Sequence, residues 1–263
     1  MFQHCSTCKT RKDMQPVRSI VVLVWLMGSF MLGACSSEIT RLSVPVADAA
    51  IYQEHRFHDP DGIGKFYMGR EIARVMGHEG AAWLERPSRE LEERPSAAIV
   101  AIAVQPTDVI ADIGAGTGYF SFRLSSKVPK GRVLAVDIQP EMLDIIEFLK
   151  QENQVNNVET ILGTETDPKL PPNSVDLAIL VDAYHEFAYP YEMMTGIVQG
   201  LKPGGRVVLL EYRGENPFVL IKRLHKMTQR QVKREMQAVG LEWQETKEIL
   251  PEQHLMIFRK PVV

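Results

Sequence analysis

The chain has 263 residues, 45% hydrophobic and 24% charged, with a formal net charge of −3. That supplies enough apolar material for one large α/β domain and excludes a disordered chain. The slight acidic balance gives no basic footprint, so no nucleic-acid partner is expected.

The first predicted element is a leader. Lys9, Arg11, Lys12 and Arg18 precede the uncharged run "IVVLVWLMGSFMLGA" at 20–34. The run is shorter than the about 20 residues that span a bilayer. Its order, basic then apolar then small, is that of a secretory signal. It ends in "LGAC" at 32–35, which resembles the bacterial lipobox. The resemblance implies that residues 1–35 are a signal peptide and that Cys35 becomes the lipidated first residue. The domain would then sit at the cell envelope on a lipid anchor in the membrane, or in the cytoplasm if the leader is unused. Cys5, Cys8 and Cys35 all fall in this leader. The remainder then has no disulfide, no thiol nucleophile and no thiolate metal site, and no metal is expected.

Residues 36–60 are mixed and polar and read as a tether. Ile63, Phe66, Tyr67, Ile72, Val75 and Met76 predict a short amphipathic helix over 61–77. A second helix is expected over 88–104, with Ser88 as its cap and Pro95 dividing it. These helices form an N-terminal extension, 61–104, of a domain running 61–263. From residue 108 strands and helices alternate. Strands are expected at 108–112, 132–137, 158–162, 175–181 and 206–211, and helices at 117–127, 140–152 and 190–201. "LKPGG" at 201–205 reads as a helix end and turn. Thr228 can cap the next helix and Gly240 can end it. Strand-like runs at 241–249 and 254–259 close the chain. Near-continuous apolar strands such as "VDLAILV" belong to a doubly wound parallel sheet covered on both faces.

The chemistry starts at "DIGAGTGYFS", 112–121, with Gly114, Gly116 and Gly118 between a strand and a helix. Glycine permits positive φ and lets a ligand touch the main chain. The place is the carboxyl end of the first sheet strand, where open α/β sheets bind ligands. The spacing is G-x-G-x-G, not the dinucleotide G-x-G-x-x-G. Asp112 would repel a pyrophosphate but favour an ammonium group. Asp137, ending "VLAVD", can accept both hydroxyls of a ribose. A carboxylate near a cation, a bare backbone and a ribose acceptor match the parts of S-adenosylmethionine.

Four segments together carry a resemblance: "VIADIGAGTGYFS", "VLAVDIQPEML", "ILGTETDPKLPPNSVDLAILVDAYHEF" and "LKPGGRVVLLEY". Over about residues 108–212, and in the same order, they resemble the class I S-adenosylmethionine-dependent methyltransferases. The resemblance implies a Rossmann-like seven-stranded sheet of order 3-2-1-4-5-7-6, with the last strand of the chain antiparallel. It implies that Asp112, Gly114, Gly116 and Gly118 line the methionine end and that Asp137 binds the ribose. An acid after the third sheet strand would meet the adenine, here Glu165 or Asp167, with Thr164 standing where an aspartate is commoner. The segment "VDAYHEF" is similar to that of uncharacterised bacterial methyltransferases and supplies Asp182, Tyr184, His185 and Glu186. His185 is the expected group that takes or orients the acceptor's proton, with Glu186 or Asp182 holding its imidazole. Segments 55–73 and 211–227 are expected to shape the acceptor pocket, where Arg70, Tyr212, Arg213, His225 and Lys226 could meet an anionic acceptor. The absence of cysteine after residue 35 argues against the arsenite methyltransferases. The favoured reading is methyl transfer to a small-molecule acceptor. A noncatalytic ligand-binding lipoprotein of this fold and a nicotinamide-dependent oxidoreductase are the competing readings.

Overall fold

The computed structural model describes residues 51–262. The predicted signal peptide, Cys35 and the tether up to residue 50 lie outside the described residues. Strand β1 (Tyr52–Glu54) opens the described chain and pairs antiparallel with β2 (Gly62–Tyr67), which pairs with β3 (Arg70–Ala73). The tether therefore ends before residue 60. Tyr52 accepts a hydrogen bond from the Tyr191 N–H (3.1 Å), and its ring packs tilted against Tyr67 and edge-to-face with Tyr189.

The helix expected over 61–77 is instead this hairpin. Gly62 and Gly64 weaken a helix, and Tyr67 pairs with Arg70 across a two-residue turn. Met68 and Gly69 make that turn with φ of 48° and 82°, the left-handed pair that a tight hairpin requires. The apolar residues that suited a helix also suit two short strands, with Tyr67, Ile72 and Ala73 buried. Only the later part of the N-terminal extension is helical: α1 (Ala81–Leu84), α2 (Arg89–Glu92) and α3 (Pro95–Ile102). Pro95 occupies the first turn of α3, where its missing N–H costs nothing, so it separates α2 from α3 as expected.

The main sheet contains β4 (Val109–Ile113), β5 (Arg132–Asp137), β6 (Val158–Leu162), β7 (Val175–Val181), β8 (Leu201–Tyr212), β9 (Glu242–Lys247) and β10 (Gln253–Arg259). Its order is β6-β5-β4-β7-β8-β10-β9, with β10 antiparallel to both neighbours. This is the 3-2-1-4-5-7-6 order with the last strand reversed. Helices α4 (Tyr119–Ser125), α5 (Pro140–Asn153), α6 (Pro190–Gly200) and α7 (Gln229–Ala238) connect the strands. The Thr228 side chain caps α7 by accepting from the Gln231 N–H.

Successive strand residues alternate between two cores. Ile110, Val133, Leu177, Ile179 and Val208 pack with α3, α4 and α5. Ala111, Leu134, Ala178, Leu180 and Leu209 pack with α6 and α7. Burial on both faces is why these strands read as unbroken apolar runs. "LKPGG" differs from the expected turn: it already belongs to β8. Val175 pairs with Leu201 but Leu177 pairs with Arg206, and Gly204 sits at φ 75°, so the extra residues form a bulge. Strand β4 pairs with β5 on one side and β7 on the other. The crevice at their carboxyl ends holds the site. Among the described residues no helix is long and apolar enough to cross a membrane.

Candidate active site

A cavity of about 210 Å³ opens at the carboxyl ends of β4, β5 and β7. Gly114 and Gly116 line it, with Asp137, Gln139, Glu165, Asp182 and Glu186 as its polar side chains. Gly114 and Gly116 have φ of 72° and 55°. A Cβ on Gly116 would come within 2.7 Å of Leu84 Cδ1, and one on Gly114 within 2.8 Å of the Ala183 Cβ. The loop is therefore a cradle that side chains would fill. Asp137 accepts from the Gly116 N–H (2.9 Å) and the Gln139 N–H (3.0 Å), which ties the glycine loop to the end of β5. Burial raises the Asp137 pKa above its usual value, against those two backbone bonds.

A second cavity, about 390 Å³, adjoins the first. Val75, Met76, Leu84, Asp182 and Glu186 line both. The second is lined further by Asp61, Trp83, His185, Tyr212, Leu220 and His225. The segment after β3 borders both cavities. The Met76 N–H donates to Glu186 Oε2 (3.1 Å), and the Met76 carbonyl accepts from Gln139 Nε2 (3.0 Å).

The "YHE" residues form a single 3-10 turn after β7. His185 is buried, with Nδ1 2.6 Å from Glu211 Oε2 and Nε2 3.0 Å from His225 Nδ1. Burial pulls the His185 pKa down, but the Glu211 carboxylate outweighs it and the net shift is upward. Glu211 also accepts the Tyr184 N–H (3.0 Å), so one carboxylate fixes both the turn and the imidazole. Asp182 has φ 49°, donates its N–H to the Leu210 carbonyl and accepts from Gln253 Nε2 at 2.7 Å through Oδ2. Its Oδ1 is buried without a hydrogen-bond partner. Burial, with Glu93 and Glu211 nearby, holds the Asp182 pKa well above the usual carboxylate range.

The sequence model of a family described as "Methyltransferase domain" matches residues 105–254. The chain belongs to the class I S-adenosylmethionine-dependent methyltransferases. The family's methyl donor is S-adenosylmethionine. An uncharacterised methyltransferase-like protein of Schizosaccharomyces pombe is 32% identical over 142 residues, 54% of this chain and 53% of that protein. A tRNA U34 carboxymethyltransferase of Desulfotalea psychrophila is 31% identical over 115 residues, 43% of this chain and 35% of that protein. The match thus spans about half or less of these relatives. The crystal structure of an S-adenosylmethionine-dependent methyltransferase from Aquifex aeolicus superposes with a TM-score of 0.67 at 20% identity, covering 71% of this chain and all of that one. That likeness is one of fold.

Several predicted site residues stand elsewhere than expected. Asp112 does not line the first cavity. It points under α4 and accepts from Ser121 Oγ (2.6 Å), and burial pushes its pKa up to about 6, with the Ser121 bond opposing and Asp137 adding. Gly118, at φ 82°, begins α4, and a Cβ there would strike Phe122 and Ile146 rather than a ligand. Of the two candidate adenine acids, Glu165 reaches the cavity. Asp167 is absent from its wall and pairs with Lys169 (2.7 Å). Tyr184 lies outside both cavities; its hydroxyl donates to Glu235 Oε2 (2.6 Å) in the core beneath α7. Arg70 is not free for an anionic acceptor. It forms a fork with Glu235 (3.0 and 3.1 Å) and donates to the His185 carbonyl (3.0 Å). Arg213 pairs with Glu248, and Lys226 donates to the Val219 carbonyl (3.1 Å). The imidazole is held by Glu211, not by Glu186 or Asp182. Glu211 and Asp61 were missed. A carboxylate inside the apolar "VVLLEY" strand was the available signal for Glu211; a buried acid needs a partner.

Proposed function

We propose that this chain transfers the methyl group of S-adenosylmethionine to a small-molecule acceptor held in the second cavity. The observation that carries the reading is the shared wall: Asp182, Glu186, Val75, Met76 and Leu84 border both cavities. Gly114, Gly116, Asp137 and Glu165 would hold the donor. The donor brings a methyl carbon already activated by its sulfonium. The residues' task is to align an acceptor across the boundary and exclude water. Leu84, Met76 and Trp83 supply the apolar wall, while His185, Glu186 and His225 face the acceptor. The tRNA substrate of one relative does not suit this chain. A lined cavity of about 390 Å³ and a net charge of −3 favour a small ligand over a polyanion.

Calorimetry with S-adenosylmethionine, its demethylated product and NAD tests the reading. The first two are expected to bind and NAD is not. Binding of NAD with no binding of either sulfur compound would overturn it in favour of an oxidoreductase. For the N-terminus the sequence supports a further part of the proposal: Cys35 carries lipid and holds the domain at the cell envelope. Intact mass and fractionation of the native protein check it. A soluble protein that retains residues 1–34 would refute it.

A further inference from the structure

We propose that His185 Nε2, His225 Nδ1 and Glu186 Oε1 bind one divalent transition-metal ion at the acceptor end of the site. The inference rests on the reading of the second cavity as the acceptor site. The three donor atoms are 3.0 Å apart (His185 to His225), 3.3 Å apart (His225 to Glu186) and 3.8 Å apart (His185 to Glu186). A triangle of that size admits a point about 2 Å from every corner, the distance at which imidazole nitrogen and carboxylate oxygen bind such ions.

The groups behind the imidazoles support the assignment. His185 Nδ1 is 2.6 Å from Glu211 Oε2, and His225 Nε2 is 3.0 Å from Asp61 Oδ2. The second contact is out of line for a hydrogen bond, and both of its atoms are buried without another partner. A carboxylate behind an imidazole draws the ring proton to its own side and leaves the other nitrogen as a lone pair. Glu211 does this for His185, whose free Nε2 then stands 3.0 Å from His225 Nδ1 with a carboxylate oxygen beside them. One cation placed among these three atoms would be met by all of them at once. Two nitrogens and one oxygen suit zinc, iron, cobalt or manganese better than calcium or magnesium. The expectation of no metal rested on the cysteines. The fold joins donors from a turn after β7 and a loop before α7, which no local spacing reveals.

His185, Glu186 and His225 all line the second cavity, so the ion's remaining positions open where the acceptor lies. They suit an acceptor hydroxyl. Bound there, the hydroxyl loses its proton to solvent at a lowered pKa. Its oxygen lone pair then forms the bond to the donor's methyl carbon. The carbon–sulfur bond breaks toward sulfur, leaving a neutral thioether.

The test uses the full chain without a polyhistidine tag, stripped by chelator and titrated with Co(II) and Zn(II). Metal content after gel filtration and the visible spectrum of the Co(II) form are the readouts. Wild type is expected to retain one equivalent more than His225→Ala and to show visible ligand-field bands that the variant lacks. Both chains carry Cys5, Cys8 and Cys35, so cysteine binding cancels in the difference. Glu211→Gln keeps the shape of the supporting group and is expected to weaken the metal about 10–100-fold. If circular dichroism shows His225→Ala unfolded, Glu186→Gln takes its place with the same expected loss. Equal metal content and spectra in wild type and variant would overturn the proposal and leave a proton shared between the imidazoles. S-adenosylmethionine calorimetry on the stripped chain separates the two readings. Donor binding without metal binding defeats only the metal site; metal binding without donor binding defeats only the methyl-transfer reading.

Discussion

The two cavities are built by different means. The cavity proposed for the donor is shaped by backbone at its glycine loop: Gly114 and Gly116 are in left-handed conformations, and Asp137 accepts from two backbone N–H groups. Its parts come from consecutive strand–loop–helix units. The cavity proposed for the acceptor draws its polar groups from distant segments. It gathers Asp61 from the segment before β2, Trp83 from α1, His185 from the turn after β7, Tyr212 from the end of β8, and His225 from the loop before α7. A backbone cradle tolerates little and serves one ligand. A side-chain basin assembled from distant segments can change its ligand by exchanging single residues, while the fold stays the same.

The comparison predicts that the two functions separate. The largest effect is expected for His225→Ala. With any acceptor that the wild type methylates, turnover should fall by about 10²–10⁴-fold, the usual range for losing a group that activates an acceptor. Donor affinity should not move, since His225 is absent from the donor cavity. A parallel loss of donor affinity in calorimetry would break the division. The converse variant is Asp137→Ala. It removes a charged acceptor that also anchors Gly116, and donor affinity should fall roughly ten- to a hundred-fold. Metal content at His185, Glu186 and His225 should remain unchanged. An unchanged donor affinity in a folded Asp137→Ala chain would remove Asp137 from the donor site.

The same contrast explains what the sequence revealed. The apolar runs made a sheet covered on both faces legible, while its strand order came only through the resemblance to the methyltransferases. Glu165 and Asp167 could not be separated by spacing, because both follow β6; only the fold turns one to the cavity and the other to Lys169. The hairpin at 62–73 reads as a helix in the sequence because Phe66, Tyr67 and Ile72 satisfy either period over so short a stretch. The Met68–Gly69 turn was the discriminating feature. The partnership of His185 with Glu211 and His225 was not legible, since it joins positions 26 and 40 residues apart.

Asp112 offers a finer test of where the donor cavity ends. Its pKa in the fold is pushed up to about 6 by burial, above the ordinary aspartate value. The folded chain therefore binds more protons than the unfolded chain between about pH 4 and pH 6. Stability from this group is full below about pH 4 and is lost as pH rises through about 6. Asp112→Asn does not titrate, so its unfolding temperature should gain a few degrees on wild type between acid and neutral pH. Because Asp112 lies under α4, saturating donor should leave that gain in place. Parallel pH curves for the two chains would show that burial does not raise this carboxyl, and a difference erased by donor would put it against the ligand's ammonium.

The smallest effect concerns neighbours in one turn. Tyr184 and His185 both stand in the segment expected at the reacting end, but the 3-10 geometry sends His185 toward the cavity and Tyr184 toward Glu235. The Tyr184 hydroxyl shares Glu235 with Arg70, which also holds the His185 carbonyl. Tyr184→Phe keeps the ring and leaves Glu235 paired with Arg70. The loss should be one buried hydrogen bond, about 1 kcal/mol, or about 2–4 °C in unfolding temperature for a domain of this size. Donor affinity, metal content and turnover should match wild type. If Tyr184→Phe instead slows turnover at unchanged stability, the hydroxyl reaches the acceptor in the closed complex, and the boundary between the core and the acceptor cavity lies deeper than these contacts place it.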